Sequence, residues 1–497
     1  MWNCSCGKPL RQRNGTGWSN LMAHVNSQHP KWIQVSEAKE AKQPTLGSSL
    51  ISLPRPAVAE SVKNLYGWIE WVCVGVKPFA FVDDPLTKLY TNLKPITSKT
   101  LKKHMSQLVR RVETSIAAEL PERFALMIDG WTKSATHFIA LFACYPTDSD
   151  PGYSTVLLAF SPLCDETQLT AQAHYDFIAW VLDSVYNKSM DNVVAIIGDN
   201  CEVNKAMCNL AGLPLIGCAS HRFNLAVKKW LQQYEPVLYK VNSIMSKLKN
   251  LKMAGALRKL TDLRPVQRNV TRWSSTADMI NRWFKLKPFL ADFENAPELI
   301  DLWPSARENG DLNEMVEHSD KLNSVTKALQ SESLSLLDVR LLFDEVIMIY
   351  PSMSQYLSEA AEIVHSHCFE NAVVKILQER VDSLSESEAA MVAKLRVQDV
   401  AYEVTREAES SDFAASVLKR RRLEVSVKKT KTFLDCRFLQ PTSNQVERFF
   451  STAGMAYGDL RQRLLPINLE MQLFLKVNRG FWDVAVLSDT MANATDA

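Results

Sequence analysis

The first half of the chain alternates between two apolar patterns, which together predict a mixed α/β domain. Four runs rich in apolar and aromatic residues predict strands, namely Phe124–Trp131, Phe138–Tyr145, Tyr153–Leu163 and Val193–Ile197. Val193–Ile197 is apolar without alternation, which is typical of a strand covered on both faces in the parallel part of a sheet. Helical periods fill the intervals, so the predicted order is strand, strand, strand, helix, strand, helix, strand, helix.

Helical periodicity dominates the rest of the chain. Before the strands, residues 58–73 form one amphipathic pattern, and a second pattern after Thr97 places one apolar residue per turn: Leu101, Met105, Leu108, Val112 and Ile116. After Ser275 the strand pattern ends, and residues 279–423 are helical in period, including a capping box at Ser385 and Glu388. The last apolar segment, residues 464–477, predicts another helix.

Each of two predicted strands ends in a carboxylate, Asp129 in the first and Asp199 after the fourth. A strand-end acid lies where α/β sheets commonly place their chemistry. The order of elements is that of an RNase H-like fold, in which these two strands lie side by side. Paired oxygen ligands there would suit divalent cations such as Mg²⁺. Read alone, Asp199 could instead cap the helix that begins near Glu202.

The N-terminal segment carries two thiols and two imidazoles: Cys4, Cys6, His24 and His29. Their order matches a structural zinc site, although a single residue separates the cysteines where two to four are typical. A helix over residues 19–29 would direct both histidines toward one site. The alternative is a disordered terminus with incidental Cys and His residues.

Size and charge limit the function classes. The 497 residues are too many for one simple core and predict two to four domains. Net charge is only +2, so a polyanionic partner must be met by local basic patches. Ten scattered cysteines without a secretory segment indicate a reducing intracellular compartment. No apolar run approaches the ~18 residues that would span a bilayer, so membrane insertion is not expected.

Two basic stretches are candidates for DNA contact. The helix after Thr97 carries Lys102, Lys103, Arg110 and Arg111 on its polar side, where they could follow a DNA backbone or simply form a solvated face. Seven of the thirteen residues in Lys419–Lys431 are basic. That run suits a nuclear-import signal or a backbone contact, and the alternative is a solvated connector.

Several motifs in fixed order make the chain resemble the hAT family of DNA transposases. They are Asp129-Gly130-Trp131, Asp199-Asn200 with Asn204 and Met207, Cys218-x-x-His221 followed by Asn224-Leu225, Arg272-Trp273, and the block Ser443–Gly454 with residues 461–466. The N-terminal Cys/His segment is similar to the BED zinc finger that often precedes this family's core. The resemblance extends to about residue 480.

The resemblance implies that Asp129, Asp199 and Glu447 form the Mg²⁺-binding triad of strand cleavage and transfer on double-stranded DNA. It also implies that Trp273, beside Arg272, stacks on a base turned out of the duplex. From the residues alone, Trp273 could equally pack under the next helix, and Glu447 could be an exposed helix carboxylate. Cys218 and His221 are interpreted as a core thiol beside a hydrogen-bonded histidine, not as metal ligands.

The expected protein is therefore a nuclear, Zn²⁺-containing and Mg²⁺-dependent transposase that forms a homodimer or higher oligomer. The alternative is a catalytically silent, domesticated DNA-binding regulator that dimerises through its C-terminal region. The expected domains are a zinc finger (1–34), a linker (35–56), a helical DNA-binding segment (57–118), the first part of an RNase H-like core (119–275), an all-helical insertion (276–435) with its basic run at 419–431, a core-completing and dimerising region (436–480), and a tail (481–497).

Overall fold

A computed structural model describes residues 2–3, 9–10, 58–133, 135–149, 151–163, 169–269, 273–290, 296–397, 432–458, 461 and 464–493. The chain divides into a unit of residues 1–57 and a unit of residues 58–497. In the first unit, two short strands, Trp2–Asn3 and Pro9–Leu10, pair antiparallel. The four proposed zinc ligands, the linker, Arg272 and residues 419–431 lie outside the described residues.

The second unit is built on one five-stranded mixed sheet. Its strands are β1 (Phe124–Lys133), β2 (Thr136–Pro146), β3 (Tyr153–Pro162), β4 (Val193–Gly198) and β5 (Leu215–Gly217), in the order β3-β2-β1-β4-β5. Strands β1, β2 and β3 pair antiparallel, whereas β4 runs parallel to both β1 and β5. Every residue of β4 is buried, which confirms the interpretation of its continuous apolar run. The predicted adjacency of the first and fourth strands is also confirmed.

The helices follow the predicted periods closely. The described α-helices are α1 (Glu60–Val74), α2 (Pro85–Tyr90), α3 (Ser98–Glu119), α4 (Ala171–Tyr186), α5 (Glu202–Ala211), α6 (Ala219–Leu231), α7 (Glu235–Leu248), α8 (Leu251–Leu260), α9 (Ser274–Leu290), α10 (Ala306–Leu329), α11 (Leu336–Ile349), α12 (Ser354–Leu357), α13 (His367–Leu377), α14 (Glu386–Met391), α15 (Asn444–Ala456), α16 (Pro466–Val477) and α17 (Val484–Asn493). The predicted capping box at Ser385 and Glu388 begins α14.

The segment of residues 57–118 is not a separate domain. Helix α3 begins at the N-cap Thr97, whose hydroxyl accepts the Thr100 N–H, and it buries all five residues of its predicted apolar face. Together with the apolar face of α1, these residues join the same core as the sheet. The sequence pattern identified both helices correctly but not the partner of their apolar faces.

A second apolar core is wholly helical. It runs from α6 to α12 and includes the buried residues Phe223, Trp283 and Phe343. The helical cluster therefore begins near residue 219, well before the expected boundary at residue 276. Helix α13 returns to the sheet core with Phe369 and Val373. The sequence places the start of the all-helical insertion at residue 276, where the strand patterns end, whereas the packing changes at α6.

The C-terminal helices complete the sheet core and cover its edge strand. Helix α16 packs on β3, where Asn478 Nδ2 donates to Leu157 O (2.9 Å) and Asn478 Oδ1 accepts the Leu157 N–H (3.1 Å). This amide replaces a neighbouring strand, as protected sheet edges require. Within the expected tail at 481–497, α17 forms, and Trp482 and Leu487 are buried in the core. Among the described helices, none combines the length and apolar character needed to cross a membrane.

Candidate active site at the ends of two parallel strands

The parallel pairing of β1 and β4 brings two aspartates to the same level. Met127 of β1 is in register with Ile197 of β4. Asp129 and Asp199 each follow two residues later, so they leave the parallel pair at neighbouring positions on one edge. Asp129 is still paired with Ala140 of β2, whereas Asp199 follows the end of its strand. The sheet therefore brings together the two aspartates that the sequence pattern singled out.

Asp129 lies in an environment that disfavours its charge. Burial is the main cause that raises the pKa of this carboxyl to about 7. The negative charges of Asp199 and Glu447 raise it further, while the N–H of Gly130, which donates to Asp129 Oδ1 (2.8 Å), lowers it. Asp129 thus interacts electrostatically with both other acids of the proposed triad.

Asp199 is held by a side-chain amide and does not cap the following helix. Asn204 Nδ2 donates to Asp199 Oδ1 (2.6 Å) and to the Asp199 carbonyl (3.1 Å). The N-cap of α5 is Cys201, whose Sγ accepts the Asn204 N–H (3.4 Å). The capping interpretation of Asp199 was therefore wrong, and no backbone N–H of α5 occupies its carboxylate.

Glu447 reaches this region on α15, in the first turn of the helix, where its side chain is exposed. Aromatic packing sets the position of α15: Phe449 meets Phe160 edge to face (4.8 Å between ring centroids), and Phe450 stacks on Trp131 (6.1 Å). Trp131 therefore connects the strand bearing Asp129 to the helix bearing Glu447. The Asp-Gly-Trp motif contained this signal, but its partner lies more than 300 residues away.

A cavity of about 240 Å³ opens beside Glu447. Its lining includes Ser220, His221, Asn224, Trp273, Asn444 and Glu447. Cys218 precedes α6 as its N-cap and is buried; its Sγ accepts the Ser443 N–H (3.5 Å), and burial raises the pKa of its thiol. The core-thiol interpretation is confirmed. His221 is exposed and borders the cavity.

Trp273 packs into the helical core with only 5% of its surface exposed. Its backbone N–H donates to Asn224 Oδ1 (3.2 Å). It also borders the cavity. The basic residues Lys103, Arg110 and Arg111 are exposed on α3 and Lys102 is half-buried. Helix α3 packs on α1, α4, α16 and α17. These four basic residues therefore lie on a different element from every acid of the proposed triad.

Sequence reasoning missed the role of Asn200. This residue is 9% exposed, and neither polar atom of its side chain meets a hydrogen-bond partner in the part of the chain that the structure describes. A Cβ at Gly217 of β5 would collide with the Asn200 carboxamide, so the glycine makes room for it. The result is an unsatisfied polar group directly after Asp199.

Comparisons with known proteins add little to this geometry. No family model and no curated protein matches the chain. Among solved structures, the chain is similar to one described as the Drosophila P element transposase strand transfer complex. The identity is 12% and the TM-score 0.32, with 94% of this chain and 100% of that chain covered. A TM-score of this size carries no argument about fold or function.

Proposed function

We propose that the protein is a hAT-type DNA transposase that cleaves and transfers DNA strands in an Mg²⁺-dependent reaction. One observation carries the proposal: Asp129 and Asp199 lie side by side where the parallel pairing of β1 and β4 ends. The charges of Asp199 and Glu447 both raise the pKa of Asp129, which is consistent with this arrangement. The motif order from Asp129 to the Ser443–Gly454 block supports the family assignment.

The donor chemistry fits Mg²⁺. Carboxylate oxygens are its preferred protein ligands, and one or two of them suffice when water and substrate phosphate complete the shell. Within the described residues no three His, Cys, Asp or Glu side chains are gathered closely enough to hold a metal ion. The proposed ligands are therefore the adjacent pair Asp129 and Asp199, and Glu447 would join them only when DNA and metal are bound. Bound cations would neutralise phosphate charge and assist in-line displacement.

The chain's own residues orient these ligands. The Gly130 N–H donates to one oxygen of Asp129, and the Asn204 side-chain amide donates to one oxygen of Asp199. In hydrolysis, a water oxygen would form a bond to phosphorus, the bond to the leaving deoxyribose oxygen would break, and that oxygen would take up a proton. In strand transfer a DNA 3′-hydroxyl would replace the water.

DNA binding is assigned to surfaces outside the triad. The basic residues of α3 would contact phosphates, and a base turned out of the duplex would enter the cavity beside Arg272 that the buried Trp273 borders. Cys4, Cys6, His24 and His29 would hold a structural Zn²⁺ in the N-terminal finger. Nuclear import through residues 419–431 and self-association through residues 436–480 complete the proposal.

The test is cleavage of plasmid DNA carrying the gene's genomic flanks by the purified full chain in Mg²⁺. Wild-type protein should release the flanked segment, whereas Asp199→Asn and Glu447→Gln should lose at least about 10²-fold in rate while still binding DNA. Glu202→Gln, an 89% exposed carboxylate on α5, is the matched control and should cleave normally. Cleavage that survives Asp199→Asn would refute the assigned role of Asp199.

The alternative is a DNA-binding regulator without catalysis. It is favoured by the exposed position of the Glu447 side chain on α15. Wild-type protein that binds the flanks specifically, yet leaves them uncut in both Mg²⁺ and Mn²⁺, would support this alternative. Fusing residues 419–431 to a fluorescent reporter tests nuclear import separately.

A further inference from the structure

A second cavity lies at the edge strand of the sheet, enclosed by α3, β3, α4 and α16. Its volume is about 380 Å³, within the ~300–1,000 Å³ range of small-ligand sites. Most of the lining is apolar and includes Val109, Phe177, Trp180, Val181, Met471 and Phe474. The indole of Trp180 is 60% exposed, so an aromatic face is available to an occupant.

Two carboxyl groups interrupt this apolar lining: Glu113 of α3 and Glu470 of α16. Glu470 Oε1 accepts the Phe160 N–H of β3 (3.1 Å), which fixes the carboxyl at the cavity wall. Within the described residues, neither Glu470 Oε2 nor the Glu113 carboxylate meets a hydrogen-bond donor or a cation at ion-pair distance. Arg110, the one charge that lowers the Glu113 pKa, is exposed on α3.

Burial acts on both carboxyl groups, and the charge of Glu113 also acts on Glu470. Burial is the main cause that raises the pKa of Glu470 to about 7, and the nearby Glu113 raises it further. Burial also raises the pKa of Glu113. Unpaired acids in an apolar environment are costly to charge, and a cation placed between them would relieve that cost.

We propose that this cavity binds a hydrophobic organic cation, with the ammonium against Glu113 and Glu470 and an apolar body against the lining. The lining excludes a strongly hydrated metal ion, since few polar groups replace its water. A neutral apolar ligand would leave both carboxyls unpaired, and an anion would be repelled. Aromatic faces add attraction for an ammonium group.

The experiment measures binding of phenethylammonium to the full chain by isothermal titration calorimetry, with phenethyl alcohol as the neutral counterpart of matched shape. The ammonium should bind about tenfold or more tightly than the alcohol. Glu470→Gln should remove that preference, because Gln retains an oxygen for the Phe160 N–H but lacks the charge. Glu113→Gln should act in the same direction, and Glu202→Gln should have no effect.

One further variant tests whether both compounds bind in this cavity. Val181→Trp, which fills the cavity, should abolish binding of both compounds; a thermal melt of each variant confirms that it is folded. Equal affinity for ammonium and alcohol, unchanged preference in both Gln variants, or no ammonium binding at millimolar concentration would overturn the proposal. None of these readouts depends on DNA cleavage, so the proposed transposase activity stands or fails separately.

Discussion

A buried ion pair joins the helical cluster to the end of β5. The Arg222 side chain of α6 is 5% exposed and that of Glu370 of α13 is 12% exposed, with Nη1 to Oε2 at 3.3 Å. The guanidinium also donates to Tyr356 O and Ser358 O (3.1 Å each), and Glu370 Oε1 accepts the Gly217 N–H (3.4 Å). Burial lowers the pKa of Arg222 and raises that of Glu370 despite their attraction.

We therefore expect Arg222→Met to destabilise the protein strongly. The substitution removes all three donated hydrogen bonds and leaves the Glu370 carboxyl buried without its ion-pair partner, with Arg340 as the remaining nearby cation. Breaking one side of such a pair costs about 3–5 kcal/mol. The double variant Arg222→Met with Glu370→Leu should lose less than Arg222→Met alone, because it contains no uncompensated charge.

The cost should also depend on pH. In Arg222→Met, burial of Glu370 without its cation keeps its folded-state pKa above the unfolded value of ~4.3. The folded state then binds a proton that the unfolded state releases, so stability falls as pH rises through that window. The deficit relative to wild type should be smaller at about pH 5 than at about pH 8.

Urea denaturation followed by tryptophan fluorescence and circular dichroism measures these differences. Lys205→Met, which breaks an exposed pair with Glu202, is the control and should change stability by no more than about 0.5 kcal/mol. The reasoning would be refuted if the free energy of unfolding of Arg222→Met lay within about 1 kcal/mol of the wild-type value. It would also be refuted if the double variant were less stable than Arg222→Met.

Two other predictions concern stability. Burial raises the folded-state pKa of Asp129 to about 7 from ~3.9, so stability is lost as pH rises between these values. In EDTA, Asp129→Asn should therefore raise the free energy of unfolding, measured by urea denaturation, by up to ~4 kcal/mol at about pH 8 and leave it unchanged at about pH 4. Equal effects at both pH values would contradict this. Asn478→Leu should lower the free energy of unfolding by about 2–4 kcal/mol and promote aggregation, because the backbone N–H and C=O of Leu157 on the edge strand lose their hydrogen-bond partner. Light scattering measures the aggregation, and Asn468→Leu on α16 is the control. An Asn478→Leu variant that stays monodisperse and as stable as wild type would contradict the role of Asn478 in protecting the edge strand.

The sequence patterns predicted the helices and strands well, because the spacing of apolar residues along each element indicates which of its faces is buried. The five residues on the apolar face of α3 and the continuous run of β4 are buried as expected. Patterns do not identify the partner of a face, however. Helix α6 reads as a helix of the sheet domain but packs its apolar face into the helical cluster, and Trp482 gives no periodic signal in a segment too short to show one.

The site shows the same limit. The positions of Asp129 and Asp199 at strand ends follow from strand order, which the sequence predicts. Cys201 caps the helix in place of Asp199, because Asn204 donates its backbone N–H to Cys201 Sγ and its side-chain amide to Asp199 Oδ1. The sequence does not indicate which of these two local contacts forms. The unsatisfied Asn200 depends on Gly217 of a different strand, and no local pattern reports that contact.

The separation of Glu447 from the two aspartates has a consequence for protein synthesis. About 250 residues separate Asp199 from Glu447, so a ribosome adding ~5–20 residues per second needs roughly 12–50 s to supply the third acid. During that interval the nascent chain can form β1 and β4, but it lacks α15 and the aromatic contacts of Phe449 and Phe450. A cleaving enzyme built this way would be harmless to nucleic acid until its translation is almost finished.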